Sequence, residues 1–192
     1  WSHRPLIVAM SLTAAADNDP VIDGTGLVGI GLDIDRKNYQ SAITVDGLEF
    51  ANSLSVGIHS EGLLPGKLTL VNTDVDGGFS GILVNGTTAD IQKTHVTGTE
   101  IFGIEIIEGG HADIATSEII NNSFIGVMVS EGSVDIRQTL LTNNTNGVVV
   151  TNDGVATVHN NFLAGNSKKA LENASSAATV NASGNWWGSV NE

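Results

Sequence analysis

The chain has 192 residues, no cysteine, 8 basic and 21 acidic side chains, and a formal net charge of −13. That balance excludes nucleic acid and anionic lipid as partners, since both are bound by Lys and Arg neutralising phosphate; without cysteine there is no disulfide framework and no thiolate site. With 15% charged and 41% hydrophobic residues the chain is too apolar for disorder, yet no apolar run approaches the ~20 residues of a membrane span.

Leu6, Val8, Met10 and Leu12 alternate along the chain as a strand with one buried face does. The run 6–16 also imitates the apolar centre of a signal peptide, but the alternation and the turn Asp17-Asn18-Asp19-Pro20 favour a strand. Residues 1–20 are therefore expected to be an incomplete first rung, and the chain a piece of a longer protein. Residues 29–34 give the first clear Gly-led strand, followed by the charged loop 35–40. A strand at 42–45 comes next, and Leu48 and Phe50 are expected inside. Residues 56–59 open the following unit, with an insertion at 60–66. The pattern is tightest over 67–166; residues 168–174 have weak helical character, 178–180 return to strand, and 182–192 form a closing segment. All of 1–192 reads as one domain.

What organises these pieces is a phrase written four times: Ala89-Asp90-Ile91, Ala112-Asp113-Ile114, Val134-Asp135-Ile136 and Ala156-Thr157-Val158. Its apolar marker falls at Ile22, Val45, Leu70, Ile91, Ile114, Ile136, Val158 and Val180, in steps of 23, 25, 21, 23, 22, 22 and 22 residues. Three short strands per ~22 residues cannot bury a face alone, so about eight copies must stack as a solenoid. At ~4.8 Å between strands the rod is ~35–40 Å long. Asp23-Gly24, Asp46-Gly47, Asp76-Gly77, Asn85-Gly86, Asn146-Gly147 and Asp153-Gly154 punctuate it as turn formers. Asn122, Asn144 and Asn166 fall in one column, expected to be a hydrogen-bonded ladder at a bend. Thr73, Thr94, Ser117, Thr139 and Asn161 form a second small-polar column.

The Gly-led strands at 81, 103, 126 and 147, the Ser/Thr/Asn column and the ending Gly184-Asn185-Trp186-Trp187-Gly188 resemble the right-handed parallel β-helix repeat family over about residues 5 to 190. The resemblance implies an all-β fold of three short strands per turn, and an extracellular or cell-surface setting. It implies no single activity, because the family spans lyases, hydrolases, epimerases, phage spikes and plain scaffolds. Family members acting on acidic polysaccharide present several Lys or Arg to the substrate. Here Arg4, Arg36, Lys37, Lys67, Lys93, Arg137, Lys168 and Lys169 are dispersed. The clustered Asn-X-Asp, Asp-Asp, Gly-His-Gly and Arg-X-Lys set typical of the pectin hydrolases is not found.

Two constellations carry candidate chemistry. Thr44, Thr69, Asp90, Asp113, Asp135, Thr157 and Thr179 are expected on one outer face, stacking three carboxylates at one-rung spacing. Like charges that close bind a cation such as Ca²⁺ or hold one carboxyl protonated. Two positions on, Gln92, Ala115, Arg137 and His159 add an amide, a cation and a titratable ring suited to acid/base work on a sugar. The same residues equally describe a solvated face on which Arg137 neutralises its neighbours. His3, His59, His95 and His111 have no zinc-site spacing. The second constellation is an outward apolar stripe, Leu83, Met128 and Val149 interrupted by Glu105, which wants a cover. Trp186 and Trp187 are either a sugar-stacking platform or a seal on the last rung. The expectation is a non-catalytic scaffold, adhesin segment or assembly subunit, able to form oligomers or fibres with protein or polysaccharide partners. A polysaccharide-active lyase or glycoside hydrolase and a carbohydrate-binding module are the alternatives.

Overall fold

The computed structural model describes residues 7–13, 20–25, 29–35, 40–62, 66–175 and 179–188. His3, the loop residues 36–39, part of the insertion at 63–65 and the last residues 189–192 lie outside them. Each strand pairs in parallel with its equivalent one turn later, which builds three sheets. The first has eight strands from Ile7–Thr13 to Val180–Asn181, the second six from Val21–Asp23 to Leu140–Thr142, and the third seven from Ile30–Asp35 to Lys169–Asn173. Among the described residues, six turns carry a strand in all three sheets. A seventh crosses the second sheet only as a bridge at Phe162, and an eighth begins with Val180–Asn181 and the Trp186 bridge. This is the expected all-β parallel β-helix, with fewer complete turns than eight.

Alternation decides what fills the tube. Leu70, Ile91, Ile114, Ile136 and Val158 pair one above the other in the first sheet, and all five are fully buried. Phe50, Val75, Val96, Ile119 and Leu141 do the same in the second, with at most 1% exposure. Ile58, Ile82, Ile104, Val127 and Val148 close the third side. Each such side chain stabilises the fold by roughly 1.5–3 kcal/mol.

Buried polar columns tie one turn to the next. The Asn122 backbone N–H donates to Asn144 Oδ1 at 3.0 Å, and the Asn144 N–H donates to Asn166 Oδ1 at 3.1 Å. The amide nitrogens donate in turn to the carbonyls of Val96, Ile119 and Leu141. The second column also works as a ladder. Thr94, Ser117, Thr139 and Asn161 each donate a backbone N–H to the side-chain oxygen one turn on, and the last acceptor is Asn185 Oδ1 at 2.9 Å. Asn185 therefore closes the stack through its amide.

A glycine column explains the Gly-led strands. A Cβ added to Gly31, Gly57, Gly81, Gly103 or Gly126 would meet the carbonyl oxygen of the next turn's glycine at 2.5–2.7 Å. Gly147 meets Ala170 in the same way. At the corners from first to second sheet, Gly47, Asn72, Lys93, Thr116, Gln138 and Asn160 each adopt positive φ. One left-handed residue turns the chain there, and its N–H continues the ladder, as in Lys93 to Ala115 and Thr116 to Arg137.

Four expectations need correction. Ile22 stacks on Phe50 in the second sheet, and the partner of Val45 is Leu12, because the first turn is longer than the rest. Val180 pairs with Ala156 rather than Val158, a two-residue slip that keeps its side chain facing the core. Residues 168–174 are not helical: Lys169–Asn173 is a strand laid on Asn146–Thr151, where the waiting sheet edge overrides weak propensity. Asn146-Gly147 is not a turn but the start of that strand, whereas Gly47, Gly77, Gly86 and Asp153 do sit at positive-φ corners.

The Asn column makes a direct prediction. Asn144→Ala removes the acceptor of the Asn122 N–H and Nδ2 and one donor to the Ile119 carbonyl in the interior. Urea unfolding of this variant should show a stability loss of about 3 kcal/mol, against a near-neutral effect for Ser123→Ala at the exposed corner position beside Asn122.

Candidate functional site

The first sheet carries the acidic column on its outer face. Thr44, Thr69, Asp90, Asp113, Asp135 and Thr157 are in register, followed by Asn181 in place of the expected Thr179. Each carboxylate has its own partner. Asp90 accepts from Lys67 Nζ at 3.0 Å and Gln92 Nε2 at 2.9 Å. Asp113 lies 3.6 Å from His111 Nε2, while His111 Nδ1 is 2.8 Å from Ser133 Oγ. Asp135 has Arg137 and His159 each at 3.5 Å. Partial burial pushes Asp90 upward, but the Gln92 and Lys67 hydrogen bonds and the charges of Lys67 and Arg137 outweigh it, so its carboxyl sits below the usual value. Among the described residues, no group of three or more His, Cys, Asp or Glu side chains converges as a metal-holding set. The face thus brings Asp135, Arg137 and His159 together, and gives Asp90 and Asp113 separate neighbours.

Histidines elsewhere follow the same habit. His59 Nδ1 is 2.9 Å from Asp33, and His95 Nδ1 is 3.8 Å from Asp74. The two tryptophans are both exposed, Trp186 at 54% and Trp187 at 46%. Trp186 pairs with Phe162, itself paired with Leu140 and exposed at 43%. An open groove of about 460 Å³ at the second corner is lined by Asn121, Asn143, Ser123, Thr145, Ser167 and their neighbours, with no titratable side chain.

The third sheet holds the apolar stripe. Its outward column reads Asp33, His59, Leu83, Glu105, Met128, Val149, Glu172. Leu83 and Met128 are half-buried, and Val149 is covered at 8% exposure. The corner leading into this sheet adds residues that the repeat reading missed. Phe79 and Phe124 are 46% and 44% exposed, and Phe79 meets Phe102 edge-to-face with centroids 6.4 Å apart. The signal was present: Phe79, Ile101 and Phe124 each stand two residues before a column glycine. In the middle of this face, Glu105 Oε2 accepts from Ser80 Oγ at 3.0 Å. Burial pushes the Glu105 carboxyl above its ordinary value, against the opposite pull of that hydrogen bond.

Residues 31–186 match the sequence profile described as the right handed beta helix region. The chain belongs to the right-handed β-helix family. No curated protein and no solved structure matches it. Membership fixes the winding of the solenoid and leaves activity to the faces, because a β-helix interior is filled by its own side chains. Among the described residues of this β-helix, no helix is long and apolar enough to cross a membrane.

Glu105 gives the face a pH signature. Because its folded value is raised, its favourable contribution is complete below the unfolded carboxyl value of about 4.3 and is lost as pH rises through the folded value. Glu105→Gln should therefore raise the urea midpoint at pH 7, and that gain should vanish at pH 3.5.

Proposed function

We propose that this β-helix is a non-catalytic docking module of an extracellular or cell-surface assembly, and that it engages a protein partner through the outer face of the third sheet. The observation that carries the reading is the concentration of half-exposed apolar side chains there. Phe79, Phe102, Phe124, Leu83 and Met128 sit on the flank of a rod whose interior is already filled. Apolar side chains gathered on one flank in this way mark an interaction site. The carboxylates of the first sheet support the same reading, since each is engaged by a neighbouring side chain. A photo-crosslinking residue at Leu83 should capture a partner in the native setting and lose it when Met128→Asp is added. Capture from Thr69 on the first sheet alone would overturn the assignment.

A second reading, turnover of a polysaccharide, draws on the juxtaposition of Asp135, Arg137 and His159. A glycan depolymerisation screen is expected to show no product. Activity abolished by Asp135→Asn would replace the docking reading with this one.

A further inference from the structure

We propose that the third-sheet face receives a cationic amphipathic segment of a partner protein, which lays apolar residues along Leu83 and Met128 and brings a Lys or Arg to Glu105. This rests on the docking reading above and names the chemistry of the occupant. Glu105 holds the fourth of seven places in its column, with Leu83 one turn before it and Met128 one turn after. A cover that buries this face must also bury the carboxylate, and a carboxylate sealed from water without a counter-charge is strongly unfavourable. Its present neighbour supplies one hydroxyl donor, from Ser80. Along the sheet, His59 stands two strand spacings away and engages Asp33 at 2.9 Å; Lys169 belongs to the last strand of the sheet among the described residues, three spacings or about 14 Å along the rod, and bonds Glu172 at 2.7 Å. Lys67 and Arg137 are engaged with Asp90 and Asp135 on the first sheet. Among the described residues none supplies a cation to Glu105, so the partner supplies it.

A second copy of the chain fits poorly. It would bring another net charge of −13 and, across a two-fold axis at the centre of the column, a second Glu105. A neutral glycan fits less well too, because the centre of the face, around Leu83, Met128 and the three Phe of the corner, is aliphatic and aromatic, and its hydrogen-bonding side chains lie mainly toward the ends of the column. The dimensions suit a segment of a partner. Seven strands span about 29 Å, roughly the length of a 20-residue helix.

The test titrates a 20-residue Leu/Lys amphipathic peptide into the protein by calorimetry, with circular dichroism confirming the fold of each variant. The wild type should bind it. Leu83→Asp with Met128→Asp should weaken binding at least tenfold, although it adds negative charge that would tighten any unspecific attraction. If the Asp pair does not fold, Leu83→Ser with Met128→Ser serves instead. Glu105→Gln should weaken binding several-fold. Binding unchanged or tightened in the Asp pair overturns both this proposal and the docking surface beneath it. Binding weakened by the Asp pair but indifferent to Glu105→Gln keeps the apolar docking surface and removes the cationic requirement. A dimer seen by light scattering in the wild type and lost in the Asp pair would identify the occupant as a second copy and overturn the cationic partner.

Discussion

A single turn of this protein has no interior; its inside exists only because another turn lies in register above it. The backbone bond from one turn to the next is therefore the constraint on which the rest depends. Parallel pairing fixes which side chain stands over which, and the same residue type then recurs in a column. Ile over Ile over Leu excludes water, and Asn over Asn passes a hydrogen bond from turn to turn. Because the columns are specified by position in the turn, a polar column inside the tube is tolerable: each amide finds both a donor and an acceptor one turn away. A lone buried Asn without this repetition would be a defect.

The same geometry governs the outside. An exposed strand position also recurs every turn, so any property placed there is drawn out as a line along the rod. On the first sheet that line is acidic, and the neighbouring columns place His111, Arg137 and His159 beside it. On the third sheet the line is mixed, with Leu83, Met128 and Val149 interrupted by Glu105 and polar residues at its ends. The contrast between a face whose carboxylates each meet a neighbouring side chain and a face that leaves apolar surface and one lightly bonded carboxylate is the basis of the docking proposal.

Much of this was legible in the residues. Thr88 to Gly165 repeats so regularly that the core columns, the Asn ladder and the register of Asp90, Asp113 and Asp135 follow from spacing. Spacing fails where turns differ in length, because a marker is then counted to the wrong partner. Ile22 is assigned to the wrong sheet, and Val180 slips by two, a shift that alternation cannot detect since it preserves the face. The aromatic corner was missed for another reason. Phe79 and Phe124 stand outside the alternating strand positions, and the residue between them in the column is Ile101, so their one signal is the place two residues before a column glycine, which alternation does not weigh. Pairing of His111, Arg137 and His159 with particular carboxylates depends on side-chain reach, which spacing does not encode.

The glycine column has a bearing on length. Each glycine leaves room for the carbonyl of the turn that follows it, so the absence of a side chain at one turn is a requirement imposed by the next. Gly31, Gly57, Gly81, Gly103, Gly126 and Gly147 all stand under such a carbonyl. Lengthening the rod by duplicating a turn within that run would therefore require the duplicate to bring its own glycine to the column, because it inherits a neighbour's carbonyl at that place.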